Sequence, residues 1–286
     1  MLMTRIIPVL LLKKSGLVKT VRFKEPKYVG DPINAVRIFN DKEVDELVFL
    51  DITATPEDRP PAFDHIRDIA SECFMPMCYG GGVRTQEDAQ RLFALGVEKV
   101  ALNSAAARNP ALVTELAATY GSQSIVVSVD VRRDWLGRQR VFTCCGRSNI
   151  GRAPLDYVRE MEQRGAGEIL LNSIDRDGTM QGFDLLLVRE VTQAVSIPVI
   201  ACGGAGRVRH LAEVVVCGGA SAAAAGSLFV FQGPERGVLL SYPTKRELEE
   251  NWHSLQQSPP SETIADPRPS PCATVEHAGA SRWSSP

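Results

Sequence analysis

The sequence predicts an α/β protein of the (β/α)8 class, a TIM barrel built from two similar halves. Short, continuously apolar runs alternate with helical segments, and this demands parallel strands joined by helical crossovers. Eight such units fit in roughly 255 residues, the usual size of a closed barrel. The chain also echoes itself. Pro76-Met77-Cys78-Tyr79-Gly80-Gly81-Gly82 is matched 122 residues later by Pro198-Val199-Ile200-Ala201-Cys202-Gly203-Gly204. At the same offset, Glu46-Leu47-Val48-Phe49-Leu50 returns as Glu168-Ile169-Leu170-Leu171-Asn172. A doubly wound open sheet is the alternative, and the two-fold internal repeat favours closure.

Residues 5–12 (Arg5-Ile6-Ile7-Pro8-Val9-Leu10-Leu11-Leu12) read as the first buried strand. A polar stretch rich in Lys and Gly follows over 13–30, long for a connector and therefore functional or mobile. Asp31-Pro32 offers an N-cap and an N1 proline for a helix through residue 39. Strand two covers 46–51 and a helix 63–72; strand three, 77–79, enters the first glycine loop. Thr85-Gln86-Glu87-Asp88 is a capping-box variant that opens a helix to residue 95. Strand four covers 99–102, and Asn109-Pro110 caps a helix through 120. Strand five, 125–131, carries Asp130 at its end, and 132–152 is an insertion holding a small hairpin. A helix over 154–164, strand six over 168–172 and a helix over 184–194 follow. Strand seven, 198–201, enters the second glycine loop, ahead of a helix over 208–216, strand eight over 222–225 and a last helix over 245–256. The barrel is expected to span 1–257. The Pro-, Ser- and Ala-rich stretch 258–286 has few large apolar residues and is expected to be disordered.

Bulk composition narrows the function. The chain has 286 residues, 44% of them hydrophobic, enough for a large core. A net charge of -2 gives no basic footprint for nucleic acid and no polybasic membrane patch. No apolar run reaches membrane-spanning length and the N-terminus has no signal-peptide pattern, so a cytoplasmic location is expected. The seven cysteines are odd in number, sit mostly in apolar stretches and lack paired metal spacing. Reduced, mostly buried thiols are expected, with no metal and no cofactor.

In such a barrel the C-terminal strand ends carry chemistry. The polar residues there are Asp51, Asn103-Ser104, Asp130, Asn172-Ser173 and Asp175-Arg176-Asp177-Gly178. Asp130 closes the run Ile125-Val126-Val127-Ser128-Val129, and a carboxylate in apolar surroundings is costly unless hydrogen-bonded or used. It is the candidate general acid or base, the plainer reading being an N-cap or a loop ion pair with Arg132 or Arg133. Asp175 and Asp177 are equally readable as turn formers before Gly178. The glycine loops at Gly81-Gly82 and Gly203-Gly204 each open a helix, where backbone N–H groups can meet a phosphate. Asn103-Ser104 and Gly226-Ser227 are the neighbouring strand ends of the two halves, each with a hydroxyl. Two such sites half a barrel apart suit a long ligand with a phosphate at each end. At the opposite end Arg5, Glu46, Lys99 and Glu168 start their strands and could close the floor as a ring of ion pairs. The plainer reading is a charge-compensated plug.

These residues resemble the cyclase subunit of imidazole glycerol phosphate synthase, the HisF family, from Met1 to about Gln256. The matching motifs include Arg5-Ile6-Ile7-Pro8, Asp31-Pro32, Glu46-Leu47-Val48-Phe49-Leu50-Asp51-Ile52, Gly80-Gly81-Gly82, Arg164-Gly165-Ala166-Gly167-Glu168, Ser173-Ile174-Asp175-Arg176-Asp177-Gly178-Thr179 and Gly203-Gly204-Ala205-Gly206. The resemblance implies a HisH-like glutaminase subunit docked on the floor and ammonia entering past a gate matched by Arg5, Glu46, Lys99 and Glu168. It implies a doubly phosphorylated ligand held by Gly82, Asn103 and Ser104 on one side and by Gly178, Gly204, Gly226 and Ser227 on the other. The family's cyclisation uses two aspartates, ending strands one and five. The second matches Asp130; at the first stands Leu11, and the internal symmetry shows the same gap. A branch with this leucine, together with Gly16-Leu17-Val18-Lys19-Thr20, Phe23-Lys24-Glu25-Pro26-Lys27-Tyr28-Val29-Gly30 and Ser227-Leu228-Phe229-Val230-Phe231, resembles subunits encoded with surface-polysaccharide genes, where ammonia passes to an amidotransferase acting on an N-acetyl sugar. The resemblance therefore implies ammonia supply for sugar amidation; the alternatives are a genuine cyclase and a non-catalytic barrel that activates a glutaminase.

Overall fold

The computed structural model describes residues 4–233 and 235–257, so the 258–286 stretch lies outside the described residues. The first half contains β1 (Arg5–Lys13), β2 (Gly16–Val21), β3 (Lys24–Gly30), α1 (Pro32–Asp41), β4 (Leu47–Asp51), α2 (Phe63–Ser71), β5 (Met77–Gly80), α3 (Gln86–Ala94), β6 (Lys99–Leu102), α4 (Ser104–Arg108) and α5 (Ala111–Tyr120). The second contains β7 (Ile125–Arg133), β8 (Gln139–Thr143), β9 (Ser148–Asn149), α6 (Pro154–Gln163), β10 (Glu168–Ser173), α7 (Leu185–Ala194), β11 (Val199–Cys202), α8 (Val208–Val216), β12 (Ala222–Ala225), α9 (Ser227–Val230), the short β13 (Phe231–Gln232) and β14 (Gly237–Val238), and α10 (Lys245–Gln257). Parallel pairing runs β1-β4-β5-β6-β7-β10-β11-β12 and returns to β1, which closes a (β/α)8 barrel.

Both faces of each barrel strand are buried, which is why the runs are continuously apolar and not alternating. Ile7, Val9, Val48, Cys78, Ala101, Val126, Leu170 and Ile200 fill the barrel interior. Their neighbours one position along, among them Ile6, Leu47, Tyr79, Val100, Val127 and Ile169, pack outward beneath the helices. Helix starts follow the capping chemistry. The Asp31 carboxylate accepts from the Asn34 N–H at 2.9 Å, with Pro32 in the first turn of α1. Thr85 and Asp88 form a reciprocal capping box on α3.

Three local expectations are revised. The 13–30 stretch is an antiparallel hairpin, with β2 paired to β1 at Leu11↔Val18 and to β3. Asn109 ends α4 and Pro110 precedes α5, with no side-chain cap at either position. Two four- or five-residue helices, α4 and α9, open directly at Ser104 and Ser227. The insertion after Asp130 is a hairpin as expected, although β7 itself continues into it as far as Arg133. No helix among the described residues is long and apolar enough to cross a membrane.

Candidate functional site

The two ends of the barrel carry different chemistry. At the N-terminal end, Arg5 donates to both Glu46 and Glu168. Lys99 Nζ lies 2.9 Å from Glu46 Oε2 and 2.9 Å from Glu168 Oε2. Each cation bridges both anions, so charge alternates around a closed ring. Glu46 is only 1% exposed, and a carboxylate that deep is tolerable because two cations and their hydrogen bonds surround it. Above the ring the interior is uncharged. Cys78 is buried there, and burial together with Glu46 pushes its thiol far above the usual range, so it stays neutral.

At the C-terminal end a cavity of about 240 Å³ opens among the βα loops. It is bordered by Leu11, Asp51, Gly81, Gly82, Asn103, Ser104, Asp130, Asn172, Asp177 and Gly226. Asp130 sits on β7 beside Asn172 of β10 in the parallel register. Its carboxylate accepts from Asn103 Nδ2 at 3.3 Å, and no ion pair ties it to Arg132 or Arg133. Arg132 stacks on Phe142, and Arg133 lies 3.8 Å from Asp184. Burial first, and the nearby Asp177 carboxylate second, push the Asp130 pKa up to about 7. A carboxyl with that value can give or take a proton near neutrality. Leu11 fills the corresponding place on β1, in register with Leu50 of β4. Asp51 is spent on structure: its Oδ1 accepts from the Thr53 and Ala54 N–H groups, and its Oδ2 lies 2.7 Å from Arg59 Nη2.

The β2–β3 hairpin covers the side of the second half. Lys19 Nζ reaches Asp177 Oδ1 at 2.8 Å, Thr20 Oγ1 reaches Asp177 Oδ2 at 3.2 Å, and the Arg22 N–H donates to the Asp177 carbonyl at 2.9 Å. Asp177 therefore anchors the hairpin as well as forming part of its own turn. The hairpin backbone at Thr20 lies against Gly178, and the Lys19 side chain lies over Gly226. Gly178, Gly203, Gly204 and Ser227 do not border the cavity. The Ser227 hydroxyl and Asn172 Oδ1 are buried without a hydrogen-bond partner on this covered side. Gly82 and Gly204 have positive φ, and a side chain at either would run into the backbone of an adjoining loop, at Arg59-Pro60 and at Gly182 respectively. Glycine is needed at these two positions for loop-on-loop packing.

Lys19, Thr20 and Cys145 are not among the site residues that the sequence suggests. Lys19 and Thr20 lie in the stretch expected to be a polar connector, although Val18-Lys19-Thr20-Val21 has β-branched residues at strand spacing. The Cys145 thiol lies 3.2 Å from the Ile52 carbonyl, and burial beside Asp130 pushes its pKa up to about 12, so it is not a nucleophile near neutrality.

A profile of the family described as Histidine biosynthesis protein matches residues 5–234. A Pseudomonas aeruginosa protein provisionally named imidazole glycerol phosphate synthase subunit hisF2 is 53% identical over 249 residues, covering 87% of this chain and 99% of that protein. A Leptospira borgpetersenii protein provisionally named imidazole glycerol phosphate synthase subunit HisF is 44% identical over 250 residues, 87% of this chain and 98% of its own. The imidazole glycerol phosphate synthase subunit HisF of Alkaliphilus metalliredigens is 45% identical over 229 residues, 80% and 91% of the two chains.

Proposed function

The chain belongs to the HisF family of histidine biosynthesis proteins, and from that premise we propose that it receives ammonia from a glutaminase partner and supplies it for amidation of an N-acetyl sugar in surface-polysaccharide biosynthesis. The observation that carries this reading is Leu11. The family's ring closure uses two carboxyl groups, an acid and a base on opposite sides of the site, and here the cavity presents Leu11 on β1 facing the site that Asp130 serves from β7. A hydrocarbon side chain moves no proton. The rest of the assembly suits ammonia transfer. The floor ring gives an alternating-charge entrance, and an interior lined by neutral side chains admits a small uncharged molecule at far lower cost than an ion. The cavity above takes a phosphorylated ligand at Gly82, Asn103 and Ser104, and an amidotransferase would collect the ammonia at this end.

Cyclisation is the second reading, and one observation favours it. Asp177 is near enough to Asp130 to raise its pKa, so a second carboxyl group is present at the site without Leu11. Complementation of a histidine auxotroph lacking its own cyclase, with turnover of the cyclase substrate beside a glutaminase, separates the two. Growth is expected to fail, and Leu11→Asp is expected to give cyclase activity that the parent lacks. A missing general acid or base accounts for a deficit of roughly 10²–10⁴-fold. Full complementation by the unaltered chain, lost on Asp130→Asn, overturns the amidation reading in favour of cyclisation.

A further inference from the structure

A second cavity, of about 180 Å³, adjoins the first on the outer rim of the barrel top. The two share the wall formed by Thr55, Val83, Ser104 and Ala105. The segments after three successive strands each bring a guanidinium to it: Arg59 in the loop after β4, Arg84 in the loop after β5 and Arg108 at the end of α4, with Asp58 on the pocket wall and Asp51 and Glu57 paired to Arg59. Arg59 is held in place by Asp51 and Glu57. Arg84 pairs with Asp58, whose side chain is 85% exposed, so that carboxylate is free to yield to a competing anion. Arg108 pairs with no carboxylate among the described residues. Gly82 contributes indirectly, because its missing side chain lets the Arg59-Pro60 backbone close over the glycine loop and fixes where Arg59 stands.

We propose that this outer pocket is a second anion subsite beside the Ser104 end of the main cavity, so that the ligand taken there is a diphosphate ester and not a monophosphate. The inference rests on the reading that the main cavity takes a phosphorylated ligand. A planar guanidinium presents paired donors to a phosphoryl group; Arg108, together with Arg84 once Asp58 yields, supplies the charge that a second phosphoryl group needs, while Arg59, paired with Asp51 and Glu57, shapes the wall. Activated sugars carry such a group, which ties the subsite to the amidation reading.

Calorimetric titration of the full chain with inorganic phosphate and with pyrophosphate tests it. Pyrophosphate is expected to bind about tenfold more tightly than phosphate, the gain of one further charge-assisted contact. Arg108→Ala and Arg84→Ala are each expected to remove most of that preference, while phosphate still binds at the main cavity and the melting temperature stays unchanged. Arg108→Lys, which keeps the charge and loses the fork, is expected to restore part of it. Equal affinity for the two anions in the parent overturns the subsite alone, as does an equal loss for both anions in the arginine variants. Absence of binding by either anion removes the underlying phosphate reading together with it.

Discussion

Asp130 shows how one buried residue couples the fold to pH. Its carboxyl has a pKa of about 7 in the folded chain, raised by burial and then by Asp177, and an ordinary low value once unfolded. Between those values the folded state holds a proton that the unfolded chain releases. The stabilising contribution is therefore complete below the unfolded value and is lost as pH rises through 7. A displacement of that size corresponds to at most about 4 kcal/mol, reached above neutrality. Asp130→Asn, which keeps the shape and removes the titration, is expected to leave thermal stability unchanged near pH 4 and to raise the melting temperature near pH 8. Parallel pH–stability curves for the two proteins would show that the carboxyl is not buried as described. Asp130 was legible in the sequence because a charge ending an apolar run stands out, and Leu11 was legible because the half-barrel repeat leaves its place without an acid. Asp177 was ambiguous. Its partners Lys19 and Thr20 lie more than 150 residues away in sequence, and only the closed barrel brings them together.

At the scale of elements, strand and helix positions were readable because both faces of each strand are buried and the helices begin at Asp31-Pro32 and Thr85. The β2–β3 hairpin was not, and its turn explains why. Arg22 and Phe23 both adopt positive φ, a turn geometry that sequences normally announce with Asn-Gly or Asp-Gly. Tertiary contacts hold that strained turn in place: the Arg22 N–H bonds to the Asp177 carbonyl and the Arg22 guanidinium to the Asp175 carbonyl. α4 and α9 were missed because four or five residues show no helical period. The buried Lys19–Asp177 pair is the main polar fastening of the hairpin, both side chains being at most a tenth exposed. Removing one partner leaves the other charge stranded, at a cost of about 3–5 kcal/mol. Lys19→Met is expected to lower the melting temperature and to speed tryptic cleavage at Arg22, Lys24 and Lys27. Adding Asp177→Asn is expected to recover part of the loss, because it removes the stranded charge. Unaltered cleavage in the single variant would mean that backbone bonds alone hold the hairpin.

The whole molecule has a polarity that the proposed function uses. Its top carries the cavity and the hairpins, and its floor carries the charge ring at the mouth of an uncharged interior. A partner that feeds the interior must seal against the floor around that ring. The loop between α2 and β5 places Phe74 there, 85% exposed, while the Phe74 N–H is fixed by Asn40 Oδ1 at 3.1 Å. Exposed Glu43, Asp45 and Glu98 lie on the floor loops before β4 and β6, with exposed Lys42 beside Glu43 and exposed Arg164 before β10. A large aromatic held on a pinned loop loses little conformational freedom when it is buried by a partner, which is the usual setting of an interface hot spot. The complementary surface would be an apolar pocket. Phe74→Asp is expected to weaken association with a glutaminase subunit by roughly 30-fold or more, the equivalent of about 2 kcal/mol, without changing the melting temperature. Because the substitution adds a charge as well as removing the ring, Phe74→Ala serves as the milder comparison and should fall between the parent and the aspartate. Size exclusion with calorimetry of the two purified subunits measures both steps. If the parent binds the glutaminase and both variants bind it as tightly, the seal lies elsewhere on the floor and Phe74 has no part in it.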